Sequence, residues 1–152
     1  MNTNIEFKRE RLNAIRPHID GLLDFNYDEL TLNKHVIKLN PDWVKYDQLE
    51  QENKLIIFTV RHSGVLVGYS FFIVDTHLHY KDLVVANNDV LFIRKDYRQG
   101  MLGIKFLKFC DAELHHVDKI VWHVKDANDF KPILHRMGYK NEDTLVGKLR
   151  VG

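Results

Sequence analysis

The stretch Tyr97–Phe109, YRQGMLGIKFLKF, places Arg98, Gly100 and Gly103 within six positions at the mouth of a segment patterned as a helix. A glycine inside a helix costs roughly 1 kcal/mol against alanine, so a tight turn or a close backbone neighbour has to account for both. Where a buried strand feeds directly into such a helix start, free backbone N–H groups converge on one spot and the helix dipole adds about half a positive charge. The chemistry this favours is anion binding, with phosphate the natural occupant, because bulky residues in the turn would hold it away.

Nine histidines suggest a second chemistry. Asp75, His77 and His79 share parity, so on an extended segment their side chains point one way and could hold Zn²⁺ with an open position. Neither an HExxH pattern nor a paired-cysteine spacing accompanies them, and His115 with His116 falls at a helix end where histidine is simply favourable. No metal is expected. Cys110, the sole cysteine, cannot form an internal disulfide, and its setting in FLKFCDAEL marks a buried helix face. Ser63 and Ser70, the only serines, lie in a hairpin, which speaks against a serine hydrolase.

The elements that must position these groups are legible in outline. Leu12, Ile15, Ile19, Leu22 and Leu23 recur at helical steps and predict an amphipathic helix over Phe7–Phe25, bent or interrupted near Pro17. LNPDWVKYDQLEQEN predicts a second helix with Asn40 as cap, Pro41 at its first position and Trp43, Tyr46 and Leu49 as its buried stripe. LIIFTVRHSGVLVGYSFFIV reads as two strands joined through His62, Ser63 and Gly64. A strand over Asp82–Ile93 is apolar on both faces at VLFI, as in a sheet centre. The glycine loop and a helix over Met101–His116 come next, then KIVWHV as a strand. NDFKPILHRMGY predicts a short helix with Asn128 or Asp129 as cap and Gly138 as its stop. TLVGKLRV is expected to close the chain as a last strand. An antiparallel hairpin followed by alternating strands and helices predicts a mixed α/β domain and not a doubly wound repeat.

The chain has 152 residues with a net charge of +1, from 22 Lys and Arg against 21 Asp and Glu. That length suits one domain over residues 1–152, and the near-neutral balance gives no global field for nucleic acid or anionic lipid. No nucleic-acid or membrane partner is expected. The first twenty residues lack the apolar core of a secretory signal, and no run approaches the ~18 residues of a bilayer span, so a cytoplasmic location is expected.

The order of elements and the loop residues resemble the GNAT superfamily of acyl-CoA-dependent N-acetyltransferases, whose signature is Gln or Arg, two residues, Gly, one residue, then Gly or Ala. Arg98 matches the first position and Gly103 the last; Met101 stands at the middle glycine, and Gly100 is displaced one place earlier. DVLFIRKDYR resembles the family's central strand and turn, and NDFKPILHRMGYK its following helix and glycine-aromatic end. The resemblance covers about residues 55–150, and HLHYKD with DFKPILHRMGY is most similar to small members encoded by bacteriophages, which would place the protein in a host cytoplasm.

The resemblance implies a GNAT-like fold: a mostly antiparallel sheet splayed at the cofactor site, with helices on both faces. It implies acetyl-CoA as co-substrate, its pyrophosphate held by backbone amides of Arg98, Gln99, Gly100, Met101, Leu102 and Gly103. The pantetheine arm would pair with the strand edge at Leu91, Phe92 and Ile93, with Asn128 a further cofactor contact. It implies direct attack of a primary amine, on a small molecule or a host protein, and frequent homodimers. The alternative is a non-catalytic GNAT-fold module that binds CoA or a host protein.

Acetyl transfer to an amine has two proton problems. An alkyl ammonium of pKa about 10.4 is about one part in a thousand neutral near pH 7.4, worth roughly 4 kcal/mol to the group that removes the proton. A departing thiolate, with thiol pKa about 8.5, needs only ~1–2 kcal/mol. The base matters more than the acid. Asp89, nine residues before Arg98, stands where family members often place a carboxylate, and its parity predicts that it leaves the sheet on the face of Leu91 and Ile93. His79, between hairpin and central strand, is the second candidate, through a pKa near working pH. The family's usual acid, a tyrosine four residues before the helix-ending glycine, is Leu134 here; water, His135, His123 or Tyr139 remains for that task.

Overall fold

The computed structural model describes residues 4–152. Five strands, β1 (Ile5–Glu10), β2 (Leu55–His62), β3 (Val65–Thr76), β4 (Val84–Ile93) and β5 (Lys119–Val121), form one open sheet in that spatial order. Neighbours are antiparallel except β4 and β5, which run parallel and pair only over residues 85–87 and 119–121. Helices α1 (Leu12–Leu30) and α2 (Trp43–Gln51) pack on one face, α3 (Leu102–Glu113) packs on the other, and α4 (Lys131–Arg136) follows β5.

Each face has its own core. Leu12, Ile15, Ile19 and Leu22 of α1 meet Ile57, Tyr69, Phe71 and Phe92, while Phe106, Cys110 and Leu114 meet Phe58, Phe72 and Ala86. Trp43, Tyr46 and Leu49 are the inward stripe of α2, as the spacing predicts. Burying each large apolar side chain stabilises by about 1.5–3 kcal/mol, so the helix stripes lock the two layers to the sheet. The β2–β3 turn is Ser63-Gly64, both in the left-handed region (φ 50° and 83°), the twist a two-residue hairpin requires.

Several expectations are corrected. The helix predicted from Phe7 begins at Leu12, because IEFKRE pairs with β2 as an edge strand whose Phe7 ring stacks on Phe106 at 5.7 Å. The helix then runs uninterrupted through Pro17. The second helix starts two residues later than predicted, since the Asp42 carboxylate accepts from the Lys45 N–H at 2.9 Å and is the cap. TLVGKLRV forms no strand: β5 is only three residues long, and Leu145, Val146 and Val151 are exposed. The helix after β5 begins at Lys131, with Asp129 accepting its N–H at 3.0 Å. It ends at Arg136, and Gly138 turns the chain just beyond it, where the Tyr139 N–H reaches the Leu134 carbonyl.

Candidate active site

Asp89 owes its position to an irregularity in the β3–β4 ladder. Phe71 pairs with Val90 and Phe72 with Asn88, so Asp89 is an extra residue with no partner across the ladder. One inserted residue inverts the alternation. Ala86 faces α3, whereas Val90 and Phe92 face α1 and α2. The expectation that Asp89 shares the face of Leu91 and Ile93 is therefore corrected: those two pack toward α3, while the Asp89 carboxylate accepts a hydrogen bond from the Tyr46 hydroxyl on the α2 side. Burial, with Asp89 beside it, pushes the Tyr46 phenol above its ordinary pKa, so it stays a neutral donor at physiological pH.

Asn88 holds the bulge in place. Its side-chain amide is buried and donates to Ser70 Oγ at 3.0 Å and to the carbonyls of Phe71 and Val90, each at 3.2 Å. A bulge breaks the ladder around it, and one carboxamide supplies the donors that the strand no longer does.

A cleft of about 210 Å³ opens over this point. Asn26, Tyr27 and Leu30 of α1 form one wall, Asn88–Leu91 the floor, and His123, Lys125, Asn128 and Phe130 the far wall. The floor is accessible because β4 and β5 part beyond Asn87 and Val121: no strand among the described residues pairs with the β5-facing edge of residues 88–93. Asp89 itself is exposed into this opening.

At the end of β4, a single 3-10 turn (Lys95–Tyr97) leads into the glycine loop and α3. Gly100 has φ +76°, a conformation that favours glycine, and so is accounted for by the turn. Gly103 is different. It lies in the first turn of α3, and a side chain there would meet nothing of the protein within 4 Å. Packing within the chain does not call for it. No acceptor among the described residues meets the N–H groups of Gly100, Met101, Leu102 or Gly103, and α3 has no side-chain cap.

The structure thus brings Asp89, Leu91 and Asn128 to one cleft and sets the open amides of the loop at the far end of the same strand. Phe92 is buried in the core, so only its backbone faces a ligand. The Arg98 guanidinium is bonded to the protein, to Glu29 at 2.7 and 3.0 Å and to the Ile93 carbonyl at 2.6 Å. His79 is set apart from the cleft, in the exposed β3–β4 connection, where its ring neighbours His77 and Tyr80. No group of three or more metal-ligating side chains occurs among the described residues. Leu134 is buried. Of the alternative acids, only His123 lines the cleft: Tyr139 donates to Asp111 at 2.6 Å and His135 pairs with Asn141 at 2.8 Å.

Sequence reasoning missed Tyr46, read only as a core residue, and Asn88, passed over within the strand Asp82–Ile93. An asparagine at an inward position of a buried strand was the available signal, since a buried amide must find partners.

No family model matches the chain, and no curated protein matches it by sequence. Solved structures do. The chain is similar to a ribosomal-protein-alanine N-acetyltransferase from Brucella melitensis biovar Abortus 2308, at 17% identity with a TM-score of 0.67, over 97% of this chain and 99% of that one. It is similar to an aminoglycoside acetyltransferase from an uncultured soil metagenomic sample in complex with sisomicin, at 13% identity and TM-score 0.69, over 97% and 96%. A predicted acetyltransferase with acetyl-CoA from Clostridium acetobutylicum matches at 12% identity and TM-score 0.64, over 95% and 96%. Likeness at such low identity speaks for architecture, and the architecture of this chain is the GNAT acetyltransferase fold.

Proposed function

We propose that the protein transfers an acetyl group from acetyl-CoA to a primary amine of a small molecule or protein. The observation that carries this reading is the Asp89 carboxylate, turned by the bulge into a cleft whose floor is an unpaired strand edge leading to unpaired amides. In this reading the diphosphate of CoA lies against the N–H groups of the glycine loop and the α3 start, where Gly103 leaves room for it. The pantetheine arm lies along residues 91–93, with Asn128 on the facing wall. Bound acetyl-CoA supplies the thioester that the amine attacks.

Asp89 removes the proton that keeps the amine unreactive, the ~4 kcal/mol task at neutral pH. Tyr46 holds that carboxylate toward the cleft. The departing thiolate needs less help, and His123 or water supplies its proton. The likeness of HLHYKD and DFKPILHRMGY to phage-encoded proteins supports a bacterial host cytoplasm as the setting.

Two substitutions test the reading. Gly103→Asp fills the hollow with bulk and negative charge and is expected to abolish CoA binding in calorimetry while leaving the far-ultraviolet dichroism unchanged; unaltered affinity refutes the assigned cradle. Asp89→Asn is expected to lower kcat/KM by about 10²–10⁴-fold, most below pH 8, read as thiol release from acetyl-CoA with an amine panel. CoA binding without thiol release from any amine would point to a non-catalytic CoA-binding module.

A further inference from the structure

Arg98 is the one strong cation of the glycine loop, and its charge is already committed. Nη1 and Nη2 donate to the two oxygens of Glu29, Nε donates to the Ile93 carbonyl, and the guanidinium carbon lies 5.2 Å from the centre of the Phe92 ring. Both members of the ion pair are about one-third exposed or less, at 28% and 33%. A planar fork gripped on both tines by a carboxylate is held in orientation as well as in place.

Glu29 is the penultimate residue of α1, and the turn it belongs to carries Asn26, Tyr27 and Leu30 of the cleft wall. From the opposite rim, Lys125 Nζ donates to the Leu30 carbonyl at 3.2 Å. Two cations therefore meet the carboxyl end of a 19-residue helix, the end where its dipole is negative. The ion pair joins the expected cofactor loop to the expected acceptor wall.

We propose that Glu29 is a positioning residue with opposed effects on the two ligands: it withholds Arg98 from the diphosphate of CoA and, through the same ion pair, holds the last turn of α1 against the cofactor loop. The proposal rests on the acetyl-CoA reading of the site. A carboxylate beside the loop both neutralises the loop's own guanidinium and adds a like charge near the diphosphate. Removing that charge strengthens anion binding while loosening the wall. A purely structural residue would weaken both.

The test is calorimetric CoA binding and backbone hydrogen exchange on the 152-residue chain. Glu29→Gln is expected to bind CoA roughly fivefold more tightly at low ionic strength, the scale of one partly exposed ion pair, with the advantage fading by about 0.5 M salt. Amides of residues 26–31 should exchange faster while those of β2 and β3 keep their protection, which reports an intact fold. Glu29→Asp, which keeps the charge, should stay near wild-type affinity. Arg98→Gln should speed exchange over residues 26–31 without tightening CoA. Unchanged or weaker CoA binding by Glu29→Gln, tightening of equal size by Glu29→Asp, or unaltered exchange over residues 26–31 overturns the proposal while leaving the CoA site standing. A wild-type chain that binds no CoA overturns both.

Discussion

Asp89 and Glu10 are carboxylates of the same sheet in opposite settings. Asp89 is exposed, and among the described residues its side chain meets the neutral Tyr46 phenol, the setting that the proposed base requires. Glu10 is 9% exposed at its side chain and fully engaged: Arg61 donates to both of its oxygens at 2.8 and 3.1 Å, and the Thr59 hydroxyl adds a third donor. Burial alone would raise the Glu10 carboxyl, but Arg61 and Thr59 together outweigh it and hold it below its ordinary value of 4.5. A depressed native pKa means the folded state holds the proton less tightly than the unfolded chain. The pair then contributes its full stability above about pH 4.5 and loses it as pH falls through the lowered native value. Melting temperature measured between pH 3 and 6 should therefore fall less steeply for Glu10→Gln than for the wild type. Near pH 7 the variant should be less stable by about 3 kcal/mol, because it strands a buried guanidinium. Parallel curves would show that Glu10 does not set the acid limb.

At the scale of the element, the decisive feature is the bulge in β4, and its stability rests on Asn88. Asn88→Leu keeps the volume but removes the donor shared by Ser70 and the carbonyls of Phe71 and Val90. Leaving such groups buried and unmet costs about 1–3 kcal/mol, measurable by urea denaturation, and kcat should fall further than CoA affinity because Asp89 loses its aim. A variant of wild-type kcat would show that the bulge holds without its amide. This element also marks where the sequence stops being legible. The β2–β3 hairpin, the stripes of α1 and α2, the central strand, α3 and the Gly138 stop are all local patterns, and each is found where its pattern places it. A bulge is not local, since it depends on which residue of β3 faces which residue of β4. Parity counted along β4 alone therefore put Asp89 on the wrong face. For the same reason β1 was read as helix: IEFKRE is short, abuts a strong helical stripe, and becomes a strand only because β2 lies beside it.

Across the whole molecule, the proposed site is a seam between layers: α1 and α2 carry the wall and the Tyr46 hydroxyl, the sheet carries Asp89, and the loop to α3 carries the open amides. A ligand spanning that seam ties three separately packed parts together, so CoA should raise the melting temperature of the whole chain. At one hundred times its dissociation constant the gain is about 2.7 kcal/mol, or about 5–10 °C for a domain of this size. The tail provides the control. Residues 144–152 belong to no element, and Leu145 and Val146 are 82% and 92% exposed, so little apolar burial depends on them. The seam lies elsewhere, and the Lys119–Glu142 ion pair at 2.7 Å lies before the cut. A chain ending at Asp143 should melt within about 2 °C of the 152-residue chain, the effect of losing only exposed residues, and should show the same rise with CoA. Loss of the CoA-induced rise with the fold intact would mean that the tail, and not the seam between α1, β4 and α3, completes the site.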